Sequence, residues 1–263
     1  MTPDHMEQAA SALRNASRTR TFIPPLRMTY PDIDIASAYA IQKLNTQQRL
    51  DEGRLLVGRK IGLTAAAVQC QLGVDEPDFG TLFDDMSYGD CEPIPVSILC
   101  QPKIEAEIAF VIGRDLTMGN PGVLDVINAV DYLLPALEIV GSRIANWDIK
   151  IADTIADNAS SSAFVLGTRP RKLKDIDLRL CGMIIERRGD PVSIGAGAAC
   201  LGNPLNSVVW LARTMVLLGT PLRAGDLVLS GALGPMVQVQ PGDVFEGRIN
   251  GLGSVRAVFD AQS

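Results

Sequence analysis

The stretch Lys103-Ile104-Glu105-Ala106-Glu107-Ile108-Ala109-Phe110-Val111-Ile112 is strand-like and apolar, yet it carries two carboxylates two residues apart. Side chains at i and i+2 on a strand share a face, so Glu105 and Glu107 project together from an element otherwise suited to burial. Ile104, Ala106, Ile108, Phe110 and Ile112 fill the opposite face, and Ala109 and Val111 continue the carboxylate face, so neither side reads as a water-facing stripe. Two adjacent buried anions repel each other and lose hydration, which forces a proton onto one or calls for a cation between them. A third acid, Glu138, stands between Leu137 and Ile139 in a short strand expected at Leu137 to Val140. Three carboxylates suit a hard divalent cation held by oxygen, Mg²⁺ or Mn²⁺, with positions left for water and substrate oxygens.

Upstream, Leu56 to Leu63 reads as a strand in which Lys60 is flanked on its own face by Gly58 and Gly62. Glycines there remove neighbouring side chains and open a niche beside the ammonium, and a metal nearby, together with burial, would lower the lysine pKa. Thr64 can cap a short helix closing at Gly73, and Val74 to Asp85 reads as a loop with Asp78 at the tip of the turn Pro77-Asp78-Phe79-Gly80. Helices are expected over Asp4 to Asn15, Asp34 to Glu52, Pro121 to Tyr132 and Asn203 to Leu218. Gly141 to Ser162 is a polar segment in which Asp157, Asn158 and Ser160 either cap the chain before the next strand or bind a substrate carboxylate. Further strands are expected at 163–167, 178–187, 227–230, 236–239, 244–249 and 254–259.

The chain has 263 residues, 47% of them hydrophobic, which is enough for one large core. With no repeat or Pro/Ser linker, it reads as a single α+β domain over 1–263, a helical N-terminal extension (1–55) on a β-rich metal-binding catalytic core (56–263). The net charge of −6, with no basic cluster, argues against nucleic acid or an anionic membrane surface and for a small-molecule partner. Five cysteines without a CxxC pair read as reduced thiols of a cytoplasmic protein, and Met1 to Ser17 lacks the apolar core of a secretory signal. The single histidine, His5, lies in the polar leader, so histidine-based triads, zinc sites and general bases are excluded from the core.

The ordered motifs of the chain are Gly58 to Thr64, Leu72 to Asp75 with Pro77 to Gly80, Gln101 to Ala109, Leu134 to Arg143, Ala156 to Ser160, Leu201 to Pro204 and Ser230 to Pro235. Taken together, they resemble the 2-keto-4-pentenoate (2-hydroxypentadienoate) hydratases of the fumarylacetoacetate hydrolase superfamily. The resemblance implies a mixed β-sandwich or β-roll, with a divalent metal, Mg²⁺ or Mn²⁺, at Glu105, Glu107 and Glu138. Lys60 and Asp78 match the family's proton-handling pair, and Ser160 and Asn158 fall in its substrate-carboxylate region. Also implied are a homo-oligomer, pentameric or decameric, association with a downstream aldolase or a sister decarboxylase, and a place in meta-cleavage degradation of aromatic compounds. Carbon–carbon hydrolases of the superfamily use a His-Glu pair, which this chain does not supply; hydration of a 2-hydroxydienoate fits its residues. The neighbouring alternatives are a 4-oxalocrotonate decarboxylase and a non-catalytic partner subunit.

Overall fold

A computed structural model describes residues 1–65, 69 and 76–261 of the chain. Three helices come first: α1 (Pro3–Thr19), the single turn α2 (Leu26–Thr29) and α3 (Ile35–Asp51). The Thr2 hydroxyl accepts from the His5 amide at the start of α1, and the Asp34 carboxylate accepts from the Ser37 amide at 2.8 Å at the start of α3. The helix expected between Thr64 and Gly73 lies outside the described residues.

After β1 (Leu56–Gly62) comes a correction. Asp78 does not tip a loop but opens a strand, β2 (Asp78–Phe83), buried along its length and antiparallel to β1. The turn chemistry of Pro77-Asp78-Phe79-Gly80 is overridden by this pairing, and Gly80 is needed where the Asn158 carbonyl comes within 2.4 Å of a would-be Cβ. Short strands β3 (Ser87–Tyr88) and β4 (Pro93–Ile94) precede β5 (Lys103–Ile112). The helix expected to Tyr132 ends early: α4 (Val123–Ala129) passes directly into β6 (Val130–Val140), so Glu138 lies near the end of an eleven-residue strand and not in a short one. The strand runs through Pro135, whose carbonyl accepts from the Gly167 amide.

The segment read as polar contains a helix, α5 (Ile151–Ala156), before β7 (Ser161–Leu166). Then follow β8 (Gly182–Arg187), the unanticipated β9 (Asp190–Ala196), α6 (Pro204–Leu217) capped by Asn203, β10 (Leu227–Leu229), β11 (Val237–Gln238), β12 (Val244–Ile249) and β13 (Gly253–Phe259).

The strands form two sheets. The larger runs β2-β1-β10-β5-β6-β7-β3 with β11 added on β5, and the smaller runs β4-β13-β12-β8-β9. Between them lies the main core, where Ile104, Ile108 and Phe110 of β5 and Leu137 and Ile139 of β6 meet Ile185, Phe245 and Val255. The other face of the large sheet carries Leu82, Phe83, Ala109, Ala136, Phe164 and Leu229. β5 is thus covered on both sides, which is why its pattern is apolar throughout. A third cluster joins α1 and α3 to α5 through Ala9, Leu13, Ala38, Ile41, Ile144 and Ile155. Gln42 of α3 ties the layers together, its amide donating to the carbonyls of Phe79 in β2 and Ile155 in α5, each at 2.9 Å. No helix among the described residues is long and apolar enough to cross a membrane.

Candidate metal centre and active site

Antiparallel pairing of β5 and β6 sets Glu105 directly opposite Glu138, and Glu107 follows Glu105 on the same face. The three carboxylates converge, offering one oxygen each within 4.8 Å of one another, and all three residues are buried. Glu107 Oε2 accepts from the Gly231 amide at 2.8 Å. Gly231 has φ of +101°, a conformation that presents its N–H to the acid and that L side chains rarely adopt, and a Cβ there would run into Thr64.

The neighbouring strands supply the cation. Lys60 of β1, only 3% exposed, lies 3.3 Å from Glu138 Oε2 and donates to the Ala159 carbonyl at 3.0 Å. Gly62 faces Asp78 across the β1–β2 ladder, and a Cβ on Gly62 would sit 2.2 Å from Asp78 Oδ1 and 3.5 Å from Lys60 Nζ. The ammonium and this second acid therefore share the space that the missing side chain leaves. The niche is not as open as the sequence implied. At Gly58 the space is filled by the Leu227 backbone of β10, whose carbonyl would be 1.9 Å from a Cβ.

Four buried carboxyls thus face one ammonium. Burial, reinforced by Glu138, pushes Glu105 up to about 7; burial with Glu138 and Glu105 raises Glu107 well above the usual carboxylate range. Burial likewise raises Asp78 to about 6, against the pull of Lys60. For Lys60 itself, burial lowers the pKa but Glu138, Glu105, Asp78 and Glu107 together outweigh it, so the value lies above the ordinary one. The lowering expected from the sequence requires a positive ion among the acids.

Such an ion fits the residues present. Glu107 Oε1, both Glu138 oxygens and Asp78 Oδ1 have no hydrogen-bond partner among the described residues; the Lys60 contact to Glu138 is an ion pair without hydrogen-bond alignment. Unpartnered buried anionic oxygens are costly, and an all-oxygen donor set with no histidine or thiolate suits a hard divalent cation.

Ser160 and Asn158 occupy the turn between α5 and β7. The Ser160 hydroxyl lies 3.1 Å from that of Thr154, and its neighbour Ala159 gives the carbonyl that holds Lys60. Both polar atoms of the Asn158 amide are engaged by Thr81 of β2, at 2.7 and 2.9 Å. Sequence reasoning did not foresee the backbone partners, Gly231 N–H and Ala159 C=O, nor the buried pair Arg143–Asp157 behind the turn. Backbone groups leave no residue-type signal, and a pair fourteen positions apart has no periodicity to reveal it.

Comparison with known proteins gives the family of the chain. Residues 59–260 match the family model for the fumarylacetoacetate (FAA) hydrolase C-terminal region. The chain belongs to the fumarylacetoacetate hydrolase family. Within that family it is 64% identical over 261 residues to proteins named 2-keto-4-pentenoate hydratase from Paraburkholderia xenovorans and 2-keto-4-pentenoate hydratase 3 from Pseudomonas putida, a span covering 99% of this chain and 97% of each relative. Its two-sheet α+β fold superposes on a solved 4-oxalocrotonate decarboxylase from Pseudomonas putida complexed with magnesium and adipate, with a TM-score of 0.94, 37% identity and 98% of each chain covered.

Proposed function

We propose that the chain is a hydro-lyase, a metal-dependent 2-keto-4-pentenoate hydratase that adds water to 2-hydroxypenta-2,4-dienoate or a C5-substituted analogue to give a 4-hydroxy-2-oxo acid. The observation that carries this reading is the convergence of three buried, under-partnered carboxylates beside Lys60 and Asp78, on a chain 64% identical to hydratases over nearly its whole length. Glu105, Glu107 and Glu138 would hold the ion, Mg²⁺ or Mn²⁺, whose chemistry is Lewis-acid polarisation of a chelating 2-oxo acid.

The residues of the chain supply binding and proton transfer. Loss of the 2-hydroxyl proton and delivery of a proton to C5 of the dienoate yield the α,β-unsaturated 2-oxo acid; water then gives up a proton as its oxygen adds at C4, and a proton at C3 completes the product. Lys60 and Asp78, diagonal to each other across the β1–β2 ladder where Asp78 pairs with Gly62 and Lys60 with Gly80, are assigned to these transfers, and burial raises the Asp78 carboxyl above the usual carboxylate range, toward proton exchange near neutrality. Ser160 is assigned to the substrate carboxylate, with Asn158 fixing its turn against β2. Burial of the whole cluster excludes bulk water, so that the added water is one held in the site. A homo-oligomer in the cytoplasm, acting in the breakdown of aromatic ring-cleavage products, completes the reading; its described cysteines are all unpaired.

The fold neighbour favours one alternative, decarboxylation of 4-oxalocrotonate. Purified protein with Mg²⁺ should consume 2-hydroxypenta-2,4-dienoate and form 4-hydroxy-2-oxopentanoate, with a chelator abolishing the reaction. Release of carbon dioxide from oxalocrotonate with the dienoate left intact would overturn the assignment in favour of the decarboxylase.

A further inference from the structure

The Lys60 ammonium is held by one carboxylate and one backbone carbonyl, that of Ala159. Ala159 is the middle of three successive residues with positive φ, Asn158 at 55°, Ala159 at 48° and Ser160 at 58°, none of them glycine. Each such residue costs about 1 kcal/mol or more, so three in a row persist only where the surroundings hold them.

Arg143 provides the hold. Its guanidinium donates through Nε to Asp157 Oδ1 and through a terminal nitrogen to the Asp157 carbonyl at 2.6 Å, before the strained residues. Its other terminal nitrogen donates to the Ser161 carbonyl at 3.4 Å and the Ser162 hydroxyl at 3.2 Å, after them. The Arg143 amide also donates to Asp157 Oδ2 at 3.0 Å. One planar group therefore staples both ends of the turn while touching none of Lys60, Asp78 or the metal-site acids. Both partners are largely buried, with side-chain exposures of 10% and 3%, so the pair is shielded from solvent screening.

We infer that Arg143, paired with Asp157, is a positioning residue: it fixes the left-handed turn that presents the Ala159 carbonyl to Lys60 and so sets where the ammonium stands relative to the substrate. This rests on the assignment of Lys60 to proton transfer. Lysine cannot replace the arginine, because a single ammonium cannot donate in a planar fork to groups on both sides of the turn.

The test is a double-mutant cycle on the full-length protein with Mg²⁺ and 2-hydroxypenta-2,4-dienoate, using Arg143→Lys, Lys60→Ala and their combination. Arg143→Lys should lower kcat on the order of 10²-fold, as sub-ångström to ångström misplacement of a reacting group does. Mg²⁺ affinity measured by calorimetry should stay within about 2-fold, because the acids on β5 and β6 are untouched. In the Lys60→Ala background the same arginine substitution should change kcat at saturating substrate by less than about 3-fold, since the ammonium it positions is gone, while displacement of Ser160 on the same turn raises KM alike in both backgrounds. Additive losses, or wild-type kcat in Arg143→Lys, would overturn the inference while leaving Lys60 as the proton-transfer group. Unimpaired turnover in Lys60→Ala alone would instead sink the assignment on which the inference stands. Should Arg143→Lys fail to fold, Asp157→Asn carries the same cycle, removing the charge that orients the guanidinium while keeping an acceptor in its place.

Discussion

Glu107 is a buried anion with one oxygen on the Gly231 amide and the other on nothing the described protein provides. Such a residue makes poor sense as a stabilising group, since an unpaired buried charge costs several kcal/mol and is relieved by protonation or by a cation. Glu107→Gln keeps an acceptor for Gly231 and removes the charge. Metal-dependent turnover should therefore vanish, while the chelator-treated variant melts roughly 2–4 °C above chelator-treated wild type, about 1 kcal/mol for a chain of this size; circular dichroism reads the second effect. The pH dependence follows the same logic. Asp78 and Glu105 have folded pKa values above their unfolded ones, so their contribution to stability is fully present below the unfolded carboxylate pKa and is lost as pH rises through about 6 and about 7 respectively, and Glu107, held well above the usual carboxylate range by burial and its acidic neighbours, acts in the same direction. In chelator the melting temperature should fall between about pH 5 and about pH 8, and Mg²⁺ should flatten or reverse that fall by binding the ionised acids. A melting temperature that rises with pH in chelator would contradict the placement of these acids.

At the scale of elements, the strand β2 depends on helices that carry no proposed catalytic group. Gln42 of α3 bonds the Phe79 carbonyl next to Asp78, and Tyr39 stacks on the Phe79 ring at 4.6 Å. Gln42→Ala would leave two buried carbonyls without a donor, so urea unfolding should show a loss of about 2 kcal/mol or more, with turnover falling further than Mg²⁺ affinity because Asp78 shifts and the metal ligands do not. What could be read from the sequence divides along the same line. β5 was legible because a continuous apolar run with acids at i and i+2 is a local pattern, and the caps Asp34 and Asn203 marked α3 and α6 by their own side chains. β2 was not, because Pro77, Asp78 and Gly80 are turn formers whose strand conformation is imposed by pairing with β1 and by the crowding of Asn158. The extent of β6 was hidden because the helix before it was read through to Tyr132, and α5 by the polar residues around it. The five residues Lys60, Asp78, Glu105, Glu107 and Glu138 could be named from residue type and resemblance, yet their meeting depends on sheet order, β1 reaching β5 through β10, which no local window contains.

For the molecule as a whole, the helical extension and the β core share a hydrophobic cluster, in which Leu13 and Ile41 pack with Ile144 and Ile155. We expect removal of residues 1–55 to abolish cooperative unfolding, since Ile144, Ala152 and Ile155 would be exposed together and the Gln42 bridge lost; a single sharp thermal transition in the truncated chain would show the core to be self-sufficient. The direct facing of Glu105 and Glu138 across two paired strands has an evolutionary corollary. The connection between β5 and β6, residues 113–129, contributes no acid to the cluster, and although Leu116, Val126 and Ala129 tie it to the core, its exposed turn at 117–120 can change length without moving the metal-site acids. One residue inserted in the regular ladder between Tyr132 and Leu137 would instead turn Glu138 toward the opposite side of the sheet unless a bulge like the one at Asp131 took it up. Divergence in length among descendants of this fold should therefore collect in that exposed turn, and the spacing from β6 onset to its acid should stay constant even where the surrounding sequence has drifted beyond recognition.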